Sequence, residues 1–342
     1  MRAALFRGPG LLAVEDVARP EPPGSGEVQI RVTRAAVCGT DSSEWDHGPL
    51  LTVPPVILGH EFTGVVDMIG EGVAGFRHGD RVVSGAGVSC GECDWCLAGR
   101  TNLCSSYHTL GLHVNGGLAE YVNVPVSTLL HVPDGVTDSE AALAQPLAVA
   151  MHAVRRSGVG PDDTCVVMGI GGIGAFIISA ALARGVTNLI ALDIDDERLE
   201  TAARLGASAT VNVGDTDLTE AIRSAGGPDG PDVVIEASGI APAPQAAFEA
   251  VRRGGRVLLV GLQAAPREID LFSLTVREVE VTTTLAHVMA DDLPDALEVL
   301  RATDLYDIVV DQVIKLENLV EGAIRPLAER RARGKTIVDL TA

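Results

Sequence analysis

The stretch CVVMGIGGIGAFIISAALA, residues 165–183, runs for nineteen positions without a charge. That length makes it a candidate membrane span, and its glycines decide against it. Gly169, Gly171, Gly172 and Gly174 fall within six positions, where they break a lipid-exposed helix but suit a strand, a tight turn and a helix start. The run satisfies G-x-G-x-x-G through Gly169, Gly171 and Gly174, with Gly172 and Ile173 completing the turn. Alone the pattern is weak, since a buried glycine-rich turn matches it by chance. Here it follows an apolar strand and opens a helix, so the backbone can approach a pyrophosphate at the helix N-terminus.

A carboxylate follows at the expected distance. Asp193 closes the strand NLIALD nineteen residues after Gly174, where it can accept hydrogen bonds from adenosine ribose hydroxyls. It repels a 2′-phosphate, and Ile194, Asp195 and Asp196 bring no guanidinium to offset that. The pattern therefore favours NAD over NADP. Arg198 reads equally as an adenosine contact and as a solvent-exposed helix residue. Val260, which ends RVLLV, is a further candidate on the cofactor side.

The alternation extends outward. TCVVMGI precedes a helix over 172–184, NLIALD one over 195–205 and ATVNV one starting near Asp217; DVVIEA, RVLLVG and VEVTTT follow. Six apolar strands alternating with helices predict a parallel, doubly wound α/β domain over 147–284. Residues 1–146 read instead as short strands between Gly and Pro turns, among them EVQIRVTRAAV, EFTGVVDMIG, DRVVSG and LAEYVNVP, with few helical periods. The tail 285–342 is too short for an independent domain and is expected to return to the first half. At 342 residues, two domains are the default.

Two constellations carry chemistry. Cys90, Cys93, Cys96 and Cys104 are spaced C-x2-C-x2-C-x7-C, which lets one loop wrap four thiolates around Zn²⁺ and leaves no position for substrate. A disulfide cluster needs an oxidising compartment, and a redox C-x-x-C does not need four cysteines. The second constellation is dispersed: Cys38 and Thr40 in AAVCGTDSS, His60 and Glu61 in VILGHEFTGVV. Each alone is more often structural; beside a nicotinamide-type domain they point to an open, catalytic zinc that polarises a substrate oxygen. Cys165 reads as a buried apolar residue, and of the remaining histidines His47 stays open.

The net charge of −20 argues against nucleic acid. One basic run, ERRARGK at 329–335, reads as a solvated helix end. The N-terminus shows no secretory pattern, so a cytoplasmic protein without stable disulfides, binding no membrane, is expected.

Taken in order, CGTD, GHEFTGVVDMIGEGVAGFRHGDRV, the four-cysteine loop, NGGLAEYV, GIGGIG, EASG and GGRVLLVG resemble the zinc-dependent medium-chain alcohol dehydrogenases over essentially the whole chain. The resemblance looks closest to the polyol branch of sorbitol, butanediol and threonine dehydrogenases. It implies a GroES-like, mostly β catalytic domain from 1–146 plus 285–342, with a Rossmann NAD-binding domain inserted, two zinc ions per chain and a homodimer or homotetramer. It also implies that Cys38 and His60 hold the catalytic zinc, that Glu61 is a ligand or an adjacent carboxylate, and that Thr40 bonds the substrate oxygen. Lys335 matches a basic position that can reach the cofactor pyrophosphate.

Two positions depart from the branch. Gln145 in LAQPLAVAMHAV stands where a Glu usually precedes Pro-Leu, so a ligand there brings no charge. Ser43 stands where many relatives carry a proton-relaying His, which leaves water or His47 to finish the path. The expected activity is NAD-dependent oxidation of a secondary alcohol (diol, polyol, sugar or cyclitol) to a ketone. The alternatives are an aldehyde or primary-alcohol dehydrogenase of the same architecture, and an impaired NAD-binding sensor or scaffold.

Overall fold

The computed structural model describes residues 1–341. The chain forms two compact units: Met1–Ala148 with the segment from Val288 onward, and Val149–His287. The first boundary falls inside the helix Ala144–Ser157. No helix among the described residues is long and apolar enough to cross a membrane.

In the first unit the ten-residue strand Glu27–Ala36 is the spine. Its alternating Val28, Ile30 and Val32 point into a core shared with Phe62, Val66, Leu118, Val122 and Val338. The strand Glu61–Ile69 pairs antiparallel with it along its length, Ala36 opposite Glu61. On the other side Lys335–Asp339 pairs with it, Ile337 opposite Ala36. Glu61, Lys335 and the chain leaving Ala36 therefore converge at one end of the spine, although Lys335 lies 274 residues from Glu61 in sequence. The helical segment 316–328 packs on the same core through Leu316, Leu319, Ala323 and Ile324.

Cys38 caps a helix, Gly39–His47, in a region read from sequence as strands and turns. Its segment GTDSSEWDH conceals the helical signal because the buried residues, Asp41, Ser42 and Glu44, are polar. Glu44 accepts from Leu50 N, Leu51 N and the Thr52 hydroxyl, and so fixes the turn that follows. The basic run 329–335 also departs from expectation. The helix Arg325–Ala328 has ended before it, and Lys335 opens a buried strand.

The second unit is a six-stranded parallel sheet in the doubly wound order Ala209–Asn212, Asn188–Asp193, Thr164–Met168, Val233–Glu236, Arg256–Leu259, Glu280–Thr283. The four central strands are apolar and buried, Cys165 among them. The two edge strands, expected from sequence to be equally buried, are mostly exposed, because an edge has a neighbour on one side alone. Residues 165–183 resolve into the strand Thr164–Met168, the glycine turn and the helix Gly172–Ala183.

Candidate metal centres and cofactor site

Cys38, His60 and Glu61 present their ligand atoms within 4.8 Å of one another, with His60 and Glu61 buried. The backbone creates this cluster: Cys38 follows the spine strand and His60 precedes its partner. The Thr40 hydroxyl lies 3.6 Å from Cys38 Sγ. Behind the cluster stands Asp41, which the sequence reading left without a role. Its Oδ2 accepts from Cys38 N at 2.9 Å, while Oδ1 faces His60 Nδ1 at 3.7 Å. Both Asp41 Oδ1 and His60 Nδ1 are buried without a hydrogen-bond partner. A carboxylate behind an imidazole is the usual support for a metal-ligating histidine, fixing its tautomer and leaving Nε2 as the ligand atom. Burial raises the Asp41 carboxyl above its usual range. Burial pulls His60 down, but the charges of Cys38, Asp41 and Glu61 outweigh it and bring the imidazole up to about 10. The donor set of thiolate, imidazole and carboxylate fits zinc.

Lys335 corrects an expectation. Its Nζ donates to Glu61 Oε2, and to Val37 O at 3.1 Å, and the side chain is buried. The residue expected to reach a pyrophosphate is engaged with Glu61 instead, because the register of Lys335–Asp339 against the spine points it there. Burial lowers its pKa, but the neighbouring Glu61 and Cys38 charges more than offset this, so it remains an ammonium. Gln145 lies buried in the first turn of Ala144–Ser157. Thr40, Ser43 and His47 occupy the i, i+3 and i+7 positions of one helix, a single stripe. Ser43 is exposed, as is His47, whose Nδ1 lies 3.2 Å from Asp46.

The second cluster is a closed one. Cys90, Cys93, Cys96 and Cys104 are all unpaired thiols. Their sulfurs lie 3.5 Å (Cys104 to Cys90), 3.6 Å (Cys93 to Cys96) and 4.0 Å (Cys90 to Cys96) apart. Thiolates about 2.3 Å from a tetrahedral zinc are separated by about 3.8 Å, so the spacing fits that ion. Main-chain donors at Ser105 and Cys96 lower the Cys93 thiol to about 6, while burial leads the rise of Cys96 to about 11. Four thiolates this close need a cation to ionise together.

The glycines of the second unit divide into two kinds. A Cβ on Gly174 would lie 1.9 Å from Gly169 O, and one on Gly169, whose φ is +85°, would meet Ser238. Gly171 and Gly172 have nothing within 4 Å of a Cβ. The first pair packs turn against sheet; the second keeps an open cradle that fits a pyrophosphate on the N-terminus of Gly172–Ala183. Gly171→Ala is thus expected to leave the melting temperature within about 1 °C and weaken NADH binding about tenfold, as read by fluorescence titration. Gly174→Ala is expected to lower the melting temperature itself, by roughly 5 °C or more.

Asp193 Oδ2 accepts from Ile170 N in the glycine turn at 2.6 Å, and Oδ1 accepts from Ile194 N and Asp195 N. The carboxylate keeps limited capacity for a ribose hydroxyl. The guanidinium missing from 194–196 arrives one helical turn later: Arg198 Nη1 lies 3.8 Å from Asp193 Oδ2. Val260 donates its N–H to Glu236 O. Glu236 opens the EASG segment. Fully buried, it accepts through Oε1 from Ser238 N, the Ser238 hydroxyl and Gly239 N, and a Cβ on Gly261 would lie 2.8 Å from its Oε2. It holds the loops beyond two central strands, at the edge where a doubly wound sheet binds its ligand.

A mostly β unit with two metal-type clusters, joined to a doubly wound glycine-turn unit, defines the zinc-binding dehydrogenase class. Residues 24–134 match the alcohol dehydrogenase GroES-like domain and 172–302 the zinc-binding dehydrogenase domain. The L-threonine 3-dehydrogenase of Anaeromyxobacter sp. (strain K) is 34% identical over 340 residues, covering 97% of this chain and 96% of that protein. The sorbitol dehydrogenase of Halalkalibacterium halodurans is 37% identical over 299 residues, 86% of each chain. The crystal structure of 2R,3R-butanediol dehydrogenase from Bacillus subtilis superposes with a TM-score of 0.91 at 29% identity, covering 99% of both chains. The chain belongs to the zinc-dependent medium-chain alcohol dehydrogenase family, in its polyol branch.

Proposed function

We propose that the protein oxidises a secondary alcohol, in a diol, polyol, sugar or cyclitol, to a ketone with NAD as acceptor. The observation that carries this reading is the cluster of Cys38 with the buried His60 and Glu61, and Asp41 Oδ1 behind His60 without a hydrogen-bond partner. When bound, zinc supplies a Lewis acid for the substrate oxygen and NAD the hydride acceptor. The chain's own residues do the rest. Cys38 and His60 hold the ion, with Glu61 or Gln145 completing its shell, while Asp41 fixes the imidazole and Lys335 holds Glu61. Thr40 accepts the hydroxyl proton and passes it along its helix stripe by way of Ser43 toward solvent or His47. Gly169, Gly171, Gly172, Ile173 and Gly174 receive the pyrophosphate, and Asp193 with Arg198 the adenosine ribose. Cys90, Cys93, Cys96 and Cys104 hold a second, structural zinc that takes no part in the chemistry. Six unpaired cysteines suit a cytoplasmic protein.

Turnover of 2,3-butanediol, sorbitol and threonine by zinc-loaded protein, followed as NADH formation, tests the reading. Secondary-alcohol oxidation with NAD preferred over NADP is expected. Turnover confined to primary alcohols would replace it with the aldehyde-side activity. Gln145 gives the sensor reading its one specific support, and NADH binding with no turnover of any alcohol would establish that reading.

Gln145 leaves the metal site one charge more positive than a glutamate would. Substrate deprotonation is therefore expected at lower pH. Gln145→Glu should move the rising limb of the kcat/KM profile up by about one pH unit and slow zinc loss to a chelator; a profile and a chelation rate both unchanged would show that Gln145 does not face the metal.

The edge strand Glu280–Thr283 and its surroundings carry exposed Val281, Leu271, Phe272, Val276 and Leu285. An open edge beside apolar surface of this extent suits a subunit contact, so a homodimer or homotetramer through the cofactor unit is expected by light scattering.

A further inference from the structure

The glycine turn, Asp193 and Glu236 all lie at the C-terminal ends of the parallel strands. The chain builds a different surface at the opposite ends. A cavity of about 630 Å³ opens there, and four arginines from three separate segments line it. Arg223 comes from the helix Leu218–Ala225, Arg252 and Arg253 from the turn before the strand Arg256–Leu259, and Arg277 from just before Glu280–Thr283. Asp229 and Glu249 are the acidic residues on its wall. In a chain with net charge −20, four guanidiniums and two carboxylates are gathered around one cavity.

Two of the arginines are already answered by acids. Arg252 Nε donates to Asp232 Oδ1 at 2.5 Å, and Arg223 Nη1 lies 3.9 Å from Glu220. Arg253 and Arg277 are held by main-chain carbonyls instead. Arg253 Nη1 donates to Val276 O at 3.2 Å, while Arg277 donates to Phe248 O at 2.6 Å and to Val251 O. Carbonyls fix the planes of these guanidiniums without neutralising their charge, which leaves preorganised donors for an anion. Burial lowers the Arg277 pKa, and the charges of Arg253 and Arg223 lower it further, with Glu249 offsetting part of the effect. Like charges held in mutual range are relieved by a multivalent anion between them.

We propose that this cavity binds an oxyanion of the phosphate class, free or carried on a small organic molecule, at a site separate from the dinucleotide turn. Its volume exceeds what a bare phosphate fills and lies within the range of small-molecule pockets. Tetrahedral oxyanions match the forked donors of arginine, and neighbouring guanidiniums can share one.

Calorimetric titration of inorganic phosphate into the full-length zinc-loaded protein tests this, at constant ionic strength and with NADH saturating so that the dinucleotide turn is filled. One saturable site per chain is expected. Its Kd should rise about tenfold in Arg253→Gln and in Arg223→Gln, each removing a charge-assisted contact, and stay unchanged in Arg204→Gln. Arg223 and Arg253 are exposed, so both variants are expected to fold, and an unchanged melting temperature checks that. Glucose 6-phosphate binding more tightly than phosphate identifies an organic carrier; equal affinity identifies the free ion. Lack of saturable binding, or equal affinity in both variants, overturns the proposal. So does dissociation of an oligomer in Arg253→Gln without any phosphate effect, which would give the arginines to a subunit contact.

Discussion

Cys38→Ser is expected to abolish dehydrogenase activity, lowering kcat/KM by about a thousandfold or more, while the protein stays folded. Serine is close in volume to cysteine, but its hydroxyl does not ionise near neutral pH and is a poor zinc ligand. The backbone around the position tolerates the exchange: the residue 38 N–H still donates to Asp41 Oδ2, and a serine hydroxyl is a good N-cap for the helix Gly39–His47. The loss therefore falls on the cation. The readouts separate cleanly: far-UV circular dichroism, melting temperature and NADH binding near native, with turnover at background. A variant retaining more than a tenth of native activity would show that Cys38 holds no catalytic metal.

Cys93→Ser is expected to act on stability. The lobe carrying residues 90–104 has almost no core of its own: Asn102 and Cys104 alone are buried, and Leu97 is 75% exposed. Its helix Asp94–Leu97 spans four residues, too few to persist in water. A zinc ion shared by the four thiolates would organise such a segment, because metal-binding free energy becomes folding free energy when the unfolded loop has no site. Losing one ligand is expected to cost at least about 3 kcal/mol and lower the melting temperature by about 5–10 °C. Limited proteolysis should cut first within 90–104. Equal protease resistance and melting temperature in Cys93→Ser would mean that the lobe is held by its few protein contacts.

Much of this molecule could be read from its sequence, for reasons of range. The cofactor unit is a chain of local strand–turn–helix signals, each complete within about thirty residues, so periodicity and the glycine run expose them. The cysteine loop is likewise local. The catalytic unit is set by pairings that sequence order hides: Ala36 faces Glu61 on one side and Ile337 on the other, and this brings Lys335 to Glu61. Nothing near Lys335 announces that partner. The helix Gly39–His47 escaped because it buries Asp41 and Glu44, reversing the polarity that periodicity looks for. Arg198 was undecidable by itself, since its meaning depends on whether a helical turn aims it back at Asp193. Asp41 and Glu236 are buried carboxylates whose partners are backbone and side-chain groups of neighbouring residues, and no local pattern marks them.

Whether one chain holds two zinc ions of different kinds is measured directly as metal content per chain, by native mass spectrometry on the protein and on Cys38→Ser and Cys93→Ser. Two zincs in the native protein are expected, with one left in each variant. A single zinc in the native protein that persists in Cys38→Ser would contradict the account, leaving the Cys38, His60 and Glu61 cluster without its metal and the chain without this route to alcohol oxidation.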